Sequence, residues 1–339
     1  MRAVWIPRYG RPDVLEVREA PDPTPARGEV RIRVRGSGIN FAEIMARQGL
    51  YKDAPKPPMV VGYEISGVID AVGPGVSERT EGERVLAVTR FGGYSDTVCV
   101  PAIQAFPMPE KMTFEEGAAL PVSYLTAYHI LFRVFRLRDG DHVLIHQAAG
   151  GVGTAASQLC ASVKGVVSYG TASARKHDHV RENGCKHPID YHSVDYENVI
   201  RELTNGRGVD VVLDPLGGAD WKKGYSLLRP AGMLIMFGWA NMVRDGKRKI
   251  TRVLGQVARM PWWAPLKLMN ENKGIAGVNM GQLWGNVEML TEELVALLHL
   301  YEQGSITPRV DRTFTFEQAG DAHAYIEAGK NVGKVLLTP

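Results

Sequence analysis

The sequence predicts an α/β chain, with a doubly wound parallel sheet joined to a β-rich domain. Three observations predict it. Residues 142–156 read His-Val-Leu-Ile-His-Gln-Ala-Ala-Gly-Gly-Val-Gly-Thr-Ala-Ala: a short apolar strand, a glycine turn, and a helix opening on small residues. From about residue 140 onward, short apolar runs alternate with helical stretches, the pattern of parallel βαβ units. Before about residue 120 the chain is instead strand-like and rich in turns. At 339 residues it has the length for two domains with real cores.

In the first part, Val30 to Val34 alternates valine, arginine, isoleucine, arginine, valine, which predicts a half-buried strand with its arginines outward. Gly62 to Val72 and Glu83 to Val88 read as further strands, parted by the Gly73-Pro74-Gly75 and Glu81-Gly82 turns. Thr113-Phe114-Glu115-Glu116 has the spacing of a capping box opening a helix. The parallel sheet is expected from Val143 to Ile145, Val166 to Tyr169, Val209 to Leu213, Met233 to Phe237 and Ile275 to Val278. Helices are expected over Val152 to Val163, Ala174 to Asn183 and Val194 to Leu203, with Gly184 a left-handed cap. A helix near Val287 to Gln303 and a strand near Lys334 to Leu337 are too little for another domain and are assigned back to the first. The expected division is therefore 1–121 with 281–339, and 122–280.

Composition narrows the function classes. A net charge of +3 with no long basic run argues against nucleic acid as a partner. Three cysteines, Cys99, Cys160 and Cys185, without a C-x-x-C pair argue against a disulfide framework and point to a reducing, cytoplasmic setting. The first residues have too short an apolar stretch for a signal peptide, and no run of about 18 apolar residues predicts a transmembrane helix.

The glycine turn has the spacing Ala148-x-Gly150-x-x-Gly153, with alanine in place of the usual first glycine. Such a turn lays a dinucleotide pyrophosphate on a helix N-terminus, here through Ala149, Gly150, Gly151, Val152 and Gly153. The end of the second strand then selects the cofactor, because an acid there holds the ribose hydroxyl of NAD and repels the phosphate of NADP. This chain reads Thr171-Ala172-Ser173-Ala174-Arg175-Lys176, with hydroxyls and cations but no acid. Ser173 as a simple cap with a solvated basic face is one reading; phosphate binding by Thr171, Ser173 and Lys176 is the favoured one, and it implies NADPH.

With these residues in place, the chain resembles the zinc-free quinone oxidoreductases of the medium-chain dehydrogenase/reductase superfamily. Within them it is most similar to the synaptic vesicle membrane protein (vesicle amine transport protein) homologues. The resemblance is carried by Gly38 to Tyr51, the Ala148 to Gly153 loop, His187-Pro188-Ile189-Asp190-Tyr191, Val209 to Gly218 and Asn331 to Leu337. It implies a Rossmann domain beside a GroES-like catalytic domain, and a homodimer. Where the zinc-dependent branch carries its first cysteine this chain has Asn40, and where that branch has Gly-His-Glu it has Gly62-Tyr63-Glu64, so no zinc is expected. The resemblance further implies that Asn40 and Tyr51 face the nicotinamide and substrate, and that Thr126 touches the cofactor. Lys176 and Tyr191 would hold its adenosine phosphate end, Phe237 and Gly238 would flank the nicotinamide, and Asn331 would close over it.

Without a metal, hydride transfer needs an acceptor that is already electrophilic, a quinone or an α,β-unsaturated carbonyl, with Tyr51 or Asn40 donating to the developing oxyanion. Tyr63 is read as mainly structural and Cys160 as core, and Asp214 either positions cofactor or ends its strand. His142 and His146 share one strand face, while His177, His179 and His187 read as solvated or capping residues. The connection from Trp239 to Lys273 is long. It carries Arg244, Lys247, Arg248, Lys249, Arg252, Arg259, Lys267 and Lys273, and then Trp262-Trp263. A lid or dimer-packing insert with a wet basic face is the favoured reading, and a peripheral membrane contact through 244–267 the other. The alternative to a reductase is accordingly a weakly active NADPH-binding protein acting at membranes or with protein partners.

Overall fold

A computed structural model describes residues 1–242, 255 and 260–339. They form two compact units: Met1–Leu125 with Leu283–Glu302 and Thr307–Pro339, and Thr126–Gln282 with Gln303–Ile306.

The first unit runs through β1 (Arg2–Ile6), β2 (Glu16–Glu19), β3 (Glu29–Ile39), α1 (Phe41–Arg47), β4 (Met59–Val60), β5 (Glu64–Val72), β6 (Arg84–Val88), β7 (Thr97–Pro101) and β8 (Ala105–Pro107). Helices α2 (Phe114–Ala119) and α3 (Pro121–Tyr128) follow. Strand β3 is the spine, pairing antiparallel with both β5 and β7. The alternation of residues 30–34 decides its faces. Val30, Ile32 and Val34 are buried with Ile65, Ile69 and Val85. On the other face Asp70 accepts from Arg31 Nε at 2.8 Å and Arg33 Nε at 2.6 Å. The capping box forms as spaced: Thr113 Oγ1 accepts from the Glu116 N–H at 3.1 Å, and the Glu116 carboxylate accepts from the Thr113 N–H at 3.0 Å.

The second unit alternates β9 (His142–Ile145), α4 (Gly151–Ala161), β10 (Val167–Thr171), α5 (His177–Glu182), β11 (His187–Ile189), α6 (Tyr196–Leu203), β12 (Val209–Asp214), α7 (Ala219–Leu227), β13 (Leu228–Met236), α8 (Pro265–Glu271) and β14 (Gly274–Gly277). These strands are all parallel, in the order β11-β10-β9-β12-β13-β14. The winding reverses between β9 and β12, the place where open parallel sheets bind ligands outside their carboxyl ends.

Some elements differ from expectation. The helix expected over Ala174 to Asn183 is a 3-10 turn, Ala174–Lys176, followed by α5, because Lys176 sits at φ −107 and ψ 1, off the helical values. The strand expected from Met233 begins at Leu228, and Ala231 at φ 68 kinks it enough to hide its first half from any alternation pattern. His187 opens β11 with its ring stacked on Tyr169, where a solvated or capping role was expected. His129–Phe135 forms a π-helical turn closed by Arg136 at φ 63, which no periodicity predicts.

The chain then returns to the first unit through α9 (Val287–Glu302), β15 (Val310–Thr315), α10 (Ala319–Glu327) and β16 (Lys334–Thr338). Strand β16 lies antiparallel to β3, Val335 opposite Ile39 and Leu337 opposite Ser37, and parallel to β15. Neither β15 nor α10 was expected from the pattern.

In β10, a Cβ added to Gly170 would sit 2.7 Å from the Ala148 Cβ and 2.8 Å from Cys185 Sγ. Gly170→Ala is expected to lower Tm, since overpacking of this kind costs about 1–3 kcal/mol. Adding Ala148→Gly should recover part of the loss in a thermal melt. A double variant melting no higher than the single one would remove Ala148 as the cause.

Candidate functional site

In the second unit the site grows from the end of β9. The turn takes its left-handed residue at Gln147, φ 53, rather than at the position where alanine replaces glycine. Ala148 is buried against Gly170, and its N–H bonds the Thr171 carbonyl at 3.0 Å, which ties the turn to β10. A Cβ on Gly153 would lie 2.3 Å from the Gln147 carbonyl oxygen, so only glycine lets α4 start this close to the strand end. Gly150 caps α4 with no side-chain bond. The N–H groups of Gly151, Val152 and Gly153 are the orphan donors of that helix end, and the macrodipole adds partial positive charge there. The arrangement fits a pyrophosphate.

Thr171 is buried and turned inward: its Oγ1 accepts the Gln147 N–H at 3.3 Å and lies 3.0 Å from His146 Nδ1. His146 Nε2 is 4.0 Å from Asp214 Oδ2, and neither atom has a hydrogen-bond partner among the described residues although both side chains are fully buried. Asp214 Oδ1 accepts from the Leu216 and Gly217 N–H groups at 2.6 and 3.1 Å, ending β12. Burial raises the Asp214 carboxyl despite the nearby imidazole. His146 shares its face with His142, the two rings reaching Thr171 and Tyr169, two residues apart on β10, and it sits buried at the strand end.

The remaining expected residues of this unit come from several elements. Ser173 precedes the 3-10 turn without a side-chain cap bond, and Lys176 ends that turn half-buried. Tyr191 is 49% exposed with its ring against His192. The Phe237 N–H bonds the Asp214 carbonyl, and Gly238 lies over Pro215 where a Cβ would come within 3.0 Å of its oxygen. Thr126 is buried near the end of α3. His179, expected to be solvated, is half-buried with Nε2 2.9 Å from Thr154 Oγ1. Cys160 is buried as expected.

The first unit holds a second cluster, built on a lysine and a glutamate the sequence reading did not single out. Lys334 opens β16 and Glu64 opens β5, with side chains 4% and 0% exposed. Lys334 Nζ donates to Glu64 Oε1 at 2.5 Å, Asn40 Oδ1 at 2.6 Å and Ser123 Oγ at 3.2 Å. Glu64 Oε1 also accepts from Asn40 Nδ2 at 2.9 Å, and its Oε2 from the Val122 N–H at 2.7 Å. Glu43, fully buried on α1, accepts from the Asn40 N–H at 2.7 Å and from Asn40 Nδ2 at 3.2 Å. Burial pushes the Glu43 carboxyl up to about 8, against the opposing pull of the Lys334 ammonium. The signal available in the sequence was a charged residue heading each of two apolar strands, because such a residue, once buried, needs a partner.

Beside this cluster Tyr63 packs against Tyr51 edge-on at 6.2 Å, against Phe91 at 5.3 Å and, stacked, against Trp284 at 6.5 Å. Burial first, then Asp53, raises the Tyr51 pKa, so its phenol stays a proton donor at neutral pH. Asn331 donates from Nδ2 to the Gly333 carbonyl at 3.1 Å. Arg244, Lys247, Arg248, Lys249, Arg252 and Arg259 lie outside the described residues. The tryptophans that follow are described: Trp263 packs against the core of the second unit, while Trp262 is 96% exposed.

The family model of zinc-binding dehydrogenases matches residues 183–337, and that of the alcohol dehydrogenase GroES-like domain matches residues 26–110. The synaptic vesicle membrane protein VAT-1 homolog of Rattus norvegicus is 47% identical over 346 residues, spanning 100% of this chain and 84% of that protein. A 2-haloacrylate reductase from Burkholderia is 32% identical over 352 residues, 99% of this chain and 98% of that one. Among solved structures, Escherichia coli quinone oxidoreductase complexed with NADPH matches with a TM-score of 0.88 at 27% identity, covering 100% of both chains. The β-rich unit is thus GroES-like, and the parallel-sheet unit is a Rossmann fold.

Glu43 carries a pH signature. Its folded pKa lies above its unfolded value, so its stabilising contribution is complete below about pH 4.5 and is lost as pH rises through about 8. Subtracting the Tm-versus-pH curve of Glu43→Gln from that of the wild type should give a difference that falls across that window. A flat difference would refute the raised carboxyl.

Proposed function

Since the chain belongs to the medium-chain dehydrogenase/reductase family, among its VAT-1 homologues, we propose that it is an NADPH-dependent reductase passing hydride to a quinone or an α,β-unsaturated carbonyl without a metal. The observation that carries this reading is the uncapped, glycine-tight start of α4, followed one strand later by a turn with Arg175 and Lys176 and no acid.

NADPH supplies the hydride when bound; the chain supplies binding, orientation and charge. The N–H groups of Gly151, Val152 and Gly153 hold the pyrophosphate. Thr171 faces inward, so contacts to the adenosine phosphate fall to Ser173 and Lys176, with Tyr191 at the rim. Thr126, Phe237 and Gly238 are assigned to the nicotinamide end. In the first unit, the Lys334 ammonium already has three oxygen partners, and both Glu64 oxygens are taken. A tethered cation fills that cluster, which leaves the acceptor to supply its own electrophilicity. Quinones and activated alkenes do so, because hydride addition gives a delocalised oxyanion. Tyr51 donates a hydrogen bond to that oxygen. In the parallel sheet β14 is an edge strand, and we assign it to pairing with a second copy.

A specific observation favours a second reading. Trp262, Leu266 and Met269 are 96%, 70% and 70% exposed; Leu266 and Met269, three apart on α8, share one side of it, and Trp262 precedes the helix, with Lys267 close in sequence. An exposed apolar stripe with cations suits an anionic lipid surface. No helix among the described residues is long and apolar enough to cross a membrane, so such contact would be peripheral and the protein a weakly active NADPH-binding one.

Three measurements separate these readings. Loss of NADPH absorbance across a panel of quinones and enals is expected to be accelerated by the protein and unchanged after dialysis against a chelator. Lys176→Ala should weaken NADPH by about tenfold, one charge-assisted contact, and leave NADH little changed. Activity restored by zinc would overturn the metal-free mechanism, and equal effects on both nucleotides would overturn the phosphate assignment. Flotation with phosphatidylserine vesicles, abolished by serine at Trp262, Leu266 and Met269 in a protein that turns over no acceptor, would instead establish the second reading.

A further inference from the structure

A groove of about 440 Å3 runs along the outer side of β11, between α5 and α6. β11 is an edge strand of the parallel sheet. The Ile189 carbonyl accepts from the Ala172 N–H at 3.0 Å and so faces β10. Alternation then turns Pro188 outward, and proline has no N–H to donate, so an added strand or an extended peptide meets a broken ladder there. The wall of the groove is aliphatic: Val199 is half-buried, and Val194 and Leu203 are exposed.

The charges of the groove are divided between its two ends. Arg181, in the last turn of α5, and Lys186, just before β11, stand at one end. Asp190, just after the strand, stands at the other, about 13 Å along the chain from Lys186. Cations near the end of a helix commonly bond its last carbonyls. Here the turn does so itself, because the Asn183, Gly184 and Cys185 N–H groups bond the carbonyls of His179, Arg181 and Val180 at 3.1, 2.9 and 3.1 Å. Lys186 has no ion pair among the described residues. Arg181 meets Asp178 at 3.2 Å in an exposed pair of the kind that contributes little. At the far end Asp190 Oδ1 accepts from the His192 N–H at 3.2 Å, which holds its carboxyl below the usual range and keeps it charged.

We propose that this groove binds a small aliphatic monocarboxylate, with its head between Arg181 and Lys186 and its chain along Leu203, Val199 and Val194 toward Asp190. The volume falls in the range of small-molecule sites, about 300–1,000 Å3, and Pro188 turns away a peptide strand. The two cations select an anion, and the arginine fork matches a carboxylate. The apolar wall favours a hydrocarbon body over a bare inorganic ion. Asp190 opposes a second negative group at the far end, so a diacid of the same length is rejected. All these residues belong to the second unit, and the site does not depend on the reductase reading.

Octanoate titrated into the 15N-labelled full chain is expected to shift the amide signals of Lys186, Asp190 and Val194 saturably. Lys186→Gln should raise the octanoate Kd about tenfold, the loss of one charge-assisted contact. Leu203→Ser should raise it too, and since both side chains are exposed both variants should keep the wild-type Tm. Acetate, which lacks the chain, and octan-1-ol, which lacks the charge, should each bind about tenfold more weakly than octanoate. Octanedioate should also bind weakly, and Asp190→Asn, which keeps an acceptor for the His192 N–H, should recover it. Octanoate that shifts none of these signals would overturn the proposal, and so would a Kd unchanged in either Lys186→Gln or Leu203→Ser. Octanedioate binding the wild type as tightly as octanoate, or no more tightly after Asp190→Asn, would overturn it as well. Shifts confined to Trp262 and α8 would mark adsorption on a different apolar surface and would equally overturn it.

Discussion

The buried pair of Lys334 and Glu64 is the constraint on which the first unit turns. Each is a charge almost wholly removed from water, a state tolerable only when every hydrogen and lone pair near it is satisfied. Meeting that demand fixes several pieces of chain at once. β16 must lie beside β3 so that Lys334 reaches inward, α3 must present Ser123 and the Val122 N–H, and Asn40 must end β3 where α1 begins. Removing one partner of such a pair costs about 3–5 kcal/mol, because the other charge stays buried. The return of the C-terminal segment to the first unit is therefore held by a specific polar lock as well as by the apolar contacts of Val335 and Leu337.

The second unit is organised by a backbone contact rather than a charge. Gly153 admits the start of α4 against the Gln147 carbonyl, and Gly170 admits Ala148. The absent first glycine has a physical explanation in this pairing. The position needs no left-handed backbone, since Gln147 takes that conformation, and its methyl fills space left by a glycine on the neighbouring strand. A small residue is required there, but not glycine.

What the sequence made legible follows from the range of the forces involved. The Val30 to Val34 alternation, the Thr113–Glu116 capping box and the glycine turn are local, and each is encoded within a few residues of itself. The kink at Ala231 and the π-helical turn before Arg136 are also local, yet they depend on backbone states that most side chains permit weakly, so composition does not announce them. Glu64 and Lys334 are the opposite case: each lies inside a recognised stretch, but their roles exist only once strands far apart in the chain are adjacent. Thr171 shows the same limit, for its side chain is turned away from solvent by His146 and the Gln147 N–H, neither of which could be assigned to it beforehand.

The Lys334 cluster and the switch point of the parallel sheet treat buried polar groups differently, and the contrast bears on where each is rigid. Around Lys334 each ammonium hydrogen and both Glu64 oxygens have a partner. At the switch point of the parallel sheet, His146 Nε2 and Asp214 Oδ2 face one another across 4.0 Å with no hydrogen-bond partner among the described residues. Unsatisfied buried groups are rare enough in folded proteins to require a reason. Here both stand at strand ends that carry the glycine turn on one side and the Leu216-Gly217 turn on the other. A fully satisfied cluster resists rearrangement, whereas a pair left short of partners is stabilised by whatever completes it. The Lys334 cluster is thus preorganised by its own side chains, and the strand ends of the parallel sheet retain unmet polar capacity beside the turn that suits a pyrophosphate.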